Sequence, residues 1–193
     1  MTKDAFKDRE RGLEEEFFRK SDAQLIEKMR DKAHLDEIVA ELAKVLKIEN
    51  PDLLRRVRDL GIDRSTGSAL IVAPLVQVAW AEGKVTDRER ETVLRLAASR
   101  GIEKGSPAEA QLLAWLDHRP SDAVFQTAVE VIKSGLSHLS PQEREQRIAS
   151  IVDACREVSE ASGGIAKSLG LGSGVSSEER SALDVVTKAL RSE

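Results

Sequence analysis

Carboxylates and hydroxyls carry most of the chemical possibilities of this chain. Glu82 lies in the turn Ala81-Glu82-Gly83, and Glu89 follows at the end of Val85-Thr86-Asp87-Arg88-Glu89. Two such carboxylates, with backbone carbonyls of the Gly83 turn, are oxygen donors of the kind that Ca²⁺ or Mg²⁺ takes. The chain contains no D-x-D-x-D-G string, so this is not an EF-hand loop. The same Glu89 stands three residues after Thr86, the spacing of a capping box. In that reading Glu89 closes a helix N-terminus, and Glu82 is a solvated helix end. Ser106-x-x-Glu109, Ser140-x-x-Glu143 and Ser176-x-x-Glu179 repeat the pattern, and capping accounts for them with no metal invoked.

The remaining reactive side chains point to structure. His34, His118 and His138 sit on separate polar stretches, none with a histidine partner one turn away. The dipole at a helix C-terminus accounts for His118 and His138. Cys155, the single cysteine, excludes an internal disulfide and a multi-cysteine zinc site, and it reads as a small buried hydrophobe. Trp80 and Trp115 read as core anchors. The glycine-rich stretch 163–174, with Lys167, follows no strand. It fits neither G-x-x-x-x-G-K-[ST] nor G-x-G-x-x-G, so it reads as a flexible insertion with a short helical turn at 165–169.

Composition narrows the classes further. Aromatic residues are 3% of the 193, too few for the stacking platforms of RRM or OB modules. The net charge of −4 shows no basic excess for nucleic acid. The N-terminus is dense in charge of both signs, unlike a secretory signal or a transit peptide. The longest uncharged run, Ser65 to Ala81, contains Pro74 and Gln77 and is shorter than the ~20 apolar residues of a membrane span. It reads as a buried core helix. The expected location is cytoplasmic.

The elements that must position these groups are helical. Residues 1–60 carry 14 basic and 15 acidic side chains, against 16 and 19 in residues 61–193. This places a charged amphipathic arm at 1–60 and a core-forming domain at 61–193. In the arm, Phe6, Leu13, Phe17, Leu25, Met29 and Ala33 recur at helical period, with Phe18 beside them. Phe6, Leu13, Phe17 and Phe18 are the candidate partner-binding residues. They serve a protein partner or a second copy of the chain as an amphipathic helix, or else dock on their own domain. Asn50-Pro51 opens a further helix that Gly61 closes. In the domain, helices are expected near 66–82, 87–100, 107–117, 122–138, 141–162 and 177–191. No segment alternates with period two. The fold class is all-α.

An internal pseudo-repeat runs through the domain. Val72 to Gly83 aligns with Val152 to Gly163, and Val85 to Arg90 with Val175 to Arg180, the difference being the glycine-rich insertion. Leu75 then corresponds to Cys155, and Glu89 to Glu179.

Ala81-Glu82-Gly83, with Val85 and Glu89 at fixed distances after the glycine, resembles the hallmark turn of the tellurite-resistance TerB-like family. Pro74 and the apolar run through Ala79 sit where that family has its first core helix. The resemblance covers about residues 66–191 and extends to the two-copy organisation. It implies a compact helical domain and a divalent metal, Ca²⁺ or Mg²⁺, held by acidic residues at the turns, here Glu82 and Glu89. Glu82 stands where Asp is commoner in the family. In the second copy Ser162 replaces the acid, and only Glu179 matches Glu89. The N-terminal pattern Phe6-x-x-Arg9-Glu10-x-x-Leu13-Glu14-x-x-Phe17, followed by Asp22, is similar to the start of the ATP synthase zeta inhibitor, a small helical protein.

The expected function is that of a non-enzymatic cytoplasmic binding or regulatory module, metal-linked and stress-associated through the resemblance. One alternative is a metal-dependent, hydrolase-like enzyme using Glu82 and Glu89. Another is a helical inhibitor acting through residues 1–33 on a larger assembly.

Overall fold

The protein is described by a computed structural model covering residues 19–27, 29, 43, 44, 46, 48–162 and 176–192. The chain divides into two units, Met1–Ala40 and Glu41–Glu193. In the first, residues 19–27 and 29 are helical. In the second, the described helices are α1 (Pro51–Asp59), α2 (Ala69–Ala79), α3 (Asp87–Ala98), α4 (Pro107–Asp117), α5 (Asp122–Leu136), α6 (Pro141–Ser162) and α7 (Ser177–Arg191). There is no strand among the described residues, and the fold is all-α as expected. Phe6, Leu13, Phe17, Phe18, His34 and the stretch 163–174 lie outside the described residues.

Local chemistry sets most helix ends. At α1 the Asn50 side chain accepts from the amides of Asp52 (2.9 Å) and Leu53 (3.3 Å), and Pro51 occupies the first turn, where an amide hydrogen has no partner to lose. The other end is a Schellman closure. Gly61 takes φ +76°, its amide donates to the Arg58 carbonyl at 2.8 Å, and the Ile62 amide donates to that of Val57 at 3.3 Å. Gly101 (φ +88°) closes α3 in the same way, with bonds to Ala98 and Ala97. In both cases a buried isoleucine follows, Ile62 or Ile102.

The helix expected over 66–82 is shorter, because both of its ends tighten into turns. The amides of Ala69, Leu70 and Ile71 donate to carbonyls three residues back rather than four. Before them, the Asp63 carboxylate gathers the amide and hydroxyl of Ser65 (2.8 and 2.7 Å) and the amide of Thr66 (3.1 Å). These bonds hold the Asp63 carboxyl below its ordinary range, the Ser65 hydroxyl contributing most. At the far end Trp80 caps α2, and the Gly83 amide donates to the Trp80 carbonyl at 2.9 Å.

α2 is the core. Of its eleven residues only Ile71 and Gln77 escape burial. It packs against α3, α4, α5, α6 and α7, while α1 packs against α5. Exposed arginine–carboxylate pairs bridge the outer helices: Arg56–Glu130, Arg90–Asp117, Arg95–Glu157 and Arg191–Glu145. At that exposure each is worth about 1 kcal/mol at most. No described helix is long and apolar enough to cross a membrane.

Two glycines should respond to the same substitution with opposite signs. Gly101 needs the left-handed backbone, so Gly101→Ala should lower stability by roughly 1–2 kcal/mol. Gly135 is an ordinary helical residue in the last turn of α5, and a Cβ there would meet nothing within 4 Å. Gly135→Ala should therefore raise stability by roughly 0.5–1 kcal/mol. Denaturant titration of the two variants checks both, and shifts of the same sign would contradict this account.

Candidate functional site

The turn between α2 and α3, together with the first turn of α3, holds the two carboxylates singled out above. It starts at Trp80, whose indole Nε1 donates to the Trp115 carbonyl at 2.8 Å and so ties the turn to α4. Trp115 is buried and Trp80 partly so, as expected of core anchors. Glu82 follows, exposed on the surface. Thr86 then caps α3. Its hydroxyl accepts from the Glu89 amide at 3.3 Å, while Glu89 Oε2 accepts from the Thr86 amide and hydroxyl, each at 2.7 Å. The capping box is complete.

Burial distinguishes Glu89 from an ordinary cap residue. It is only 2% exposed. Burial raises its pKa above the usual carboxylate range, the two bonds from Thr86 pull it back, and the negative charges of Glu179 and Glu82 push it further up. Glu179 is itself fully buried. It closes the second complete box, accepting from the Ser176 amide at 2.7 Å while its own amide donates to Ser176 Oγ at 3.1 Å. The heads of α3 and α7 thus bring two buried carboxylates within electrostatic reach of each other. The sequence alignment set Glu89 and Glu179 in equivalent positions, but gave no sign that the two are neighbours.

The other two boxes differ. Ser140 and Glu143 close one on the surface, through bonds of 3.0 and 3.4 Å. At Ser106 only half forms: the Glu109 amide donates to Ser106 Oγ at 3.1 Å, but the Glu109 carboxylate accepts from the Gly105 amide at 2.6 Å. The expected partner was already engaged, because the Ser106 amide donates to the Glu103 carbonyl.

As oxygen donors, Glu82 and Glu89 form a sparse set. Glu89 is committed to Thr86 through Oε2, and among the described residues no group of three or more His, Cys, Asp or Glu gathers to hold an ion. Ca²⁺ takes 6–8 oxygens, so most of its shell would have to come from water and backbone. Cys155 is buried, and burial pushes its thiol up to about 12, which keeps the nucleophilic thiolate out of reach. His118 and His138 are exposed at the ends of α4 and α5.

The buried box sets two expectations. Thr86→Ala should cost about 0.5–2 kcal/mol, as loss of a cap does. Folding raises the pKa of Glu89, so the folded state holds that proton more tightly than the unfolded chain. The associated stability is full below the unfolded carboxylate value and is lost as pH rises through the higher folded value. Glu89→Gln keeps an acceptor for Thr86 and removes the titration. Its thermal midpoint relative to the parent should therefore climb as pH is raised from acid to neutral. A difference that stays flat or falls would contradict the burial argument.

Compared with protein-family models, curated proteins and solved structures, the chain matches none of them.

Proposed function

We propose that this chain is a non-enzymatic, cytoplasmic binding or regulatory module of TerB-like organisation. In this reading it meets a protein partner, or a second copy of itself, through its N-terminal amphipathic segment. The observation that carries the proposal is the exposure of Leu25, Ile26 and Met29, at 56%, 51% and 65%. Leu25 and Met29 lie one turn apart on the same helical face, with Ile26 beside them. They continue the stripe that the sequence begins at Phe6, Leu13 and Phe17. A helix of this kind is marginal in water until its apolar face is covered. The non-enzymatic side is supported by how the reactive groups are used: Glu89 and Glu179 serve as caps, and the Cys155 thiol is buried.

One observation favours a second element, a divalent cation at Glu82 and Glu89. Glu82 and Glu179 both load negative charge onto Glu89, and a cation would relieve it. Calorimetric titration with Ca²⁺ and with Mg²⁺ tests this directly. No heat and no change in thermal midpoint at millimolar ion would end it.

For the arm, light scattering on the full chain is the measurement. A mass above the 21.2 kDa of one chain should return to that value in the double variant Leu25→Asp, Met29→Asp. Stability should change by no more than about 0.5 kcal/mol, as for surface substitutions elsewhere. If the chain is monomeric, pull-down with residues 1–33 should retain a protein that the doubly substituted segment does not. A loss of several kcal/mol of stability instead would mean that these residues support the fold, and the partner reading would fall.

A further inference from the structure

We propose that an open trough on the Glu41–Glu193 unit, bounded by α2, α5 and α6, docks an acidic amphipathic helix of a protein partner. The trough encloses about 490 Å³. Its floor is apolar, with Leu46, Val131, Ile132 and Leu136 nearly buried, and its wall is Ile71. Ile71 is where the central helix, covered nearly everywhere else, reaches the surface at 44% exposure. Exposed Ser99 and Ser150 form part of the rim.

Charge identifies the occupant. Among the described residues, the only charged groups lining the trough are Arg100 and Arg147. Arg100 donates to the carbonyls of Leu96 (3.0 Å) and Ser150 (3.4 Å) and to Ser99 Oγ (3.5 Å), bonds that fix the guanidinium without neutralising it. Arg147 lies one turn after Glu143 and acts on that carboxylate only as a weak favourable charge. The acids in the adjoining hollow, Asp153 and Glu157, are paired with Arg156 and Arg95. Two cations, with no carboxylate among the described residues that line the trough, stand over an apolar floor and complement a helix with an apolar stripe and carboxylates beside it.

Gly135 supplies an independent observation. It lines the trough in right-handed helical backbone, and a Cβ there would meet nothing within 4 Å. Among the described residues, neither the backbone nor the packing calls for glycine here. Its effect is to leave room for another chain to approach closely. A small carboxylate amphiphile shares the same charge chemistry, but small-ligand sites enclose most of their ligand. With Ser99, Arg147 and Ser150 all exposed along it, this trough lies open, which suits a helix laid lengthwise. The inference is independent of the N-terminal reading.

The test uses the full chain and two labelled synthetic peptides of about 18 residues, long enough to become helical on docking. Both carry Leu at i, i+3, i+4 and i+7. The remaining positions are rich in Glu in one peptide and in Lys in its twin. In fluorescence anisotropy at low salt, the Glu peptide should bind at least about tenfold more tightly than the Lys twin. Arg147→Glu should weaken it by about tenfold or more, and Gly135→Leu, which fills the trough, should abolish binding. Arg147 is on the surface, so its variant decides the matter if Gly135→Leu fails to fold. Equal binding of the twins, or unchanged affinity in Arg147→Glu, would overturn the proposal. So would the absence of Glu-peptide binding, including the case in which laurate binds while the peptide does not.

Discussion

The Glu41–Glu193 unit is organised around the exclusion of water from one uncharged helix. α2 is apolar on nearly every side, in a chain whose residues are one-third charged. A helix of that kind cannot lie on a surface and has to be surrounded. α3, α4, α5, α6 and α7 all pack on it. Burying each of its larger side chains contributes roughly 1.5–3 kcal/mol, which only a full jacket of helices collects. The same enclosure lets the helix carry Pro74 in its interior, a residue that lacks an amide hydrogen and costs an isolated helix about 3 kcal/mol.

A second constraint meets the first at the C-terminal end of α2. Burying a carboxylate is costly unless donors meet it. Glu89 is buried where the chain leaves the core helix, and Thr86 meets it with both an amide and a hydroxyl. That pair fixes the direction in which α3 departs. The Trp80 indole, bonded to the Trp115 carbonyl, fixes α4 against the same turn. Glu179 adds a second buried carboxylate at the head of α7 and raises the electrostatic cost at Glu89. Apolar enclosure and carboxylate satisfaction thus act on one short stretch, residues 80 to 89. The exposed ion pairs of the outer helices contribute far less to the architecture.

Much of this was legible residue by residue. Asn50-Pro51 announced α1, and the caps before α3, α4, α6 and α7 placed their first residues. Cys155 and the tryptophans lie where a small hydrophobe and core anchors belong. Two details escaped. The helix over 66–82 starts late because Asp63 drew Ser65 and Thr66 into a turn, a pattern that the string Asp63-Arg-Ser-Thr66 does encode. The Ser106 box lost its second half because a carbonyl at Glu103 had taken the amide. In both, a competing local acceptor was stronger than the motif.

The sequence by itself determined the all-helical class, nearly every helix start, and the use of Glu89 as a cap. Those outcomes rest on hydrogen bonds and periodicities that close within one or two turns of chain. The packing of distant elements decided the rest. It made Glu89 a buried group rather than a solvated one, and it set Glu179 within reach of its charge. It also assembled a trough from Leu46, Ile71, Arg100, Gly135 and Arg147. No spacing rule links residues so far apart, because their neighbourhood exists only after the helices have closed around α2.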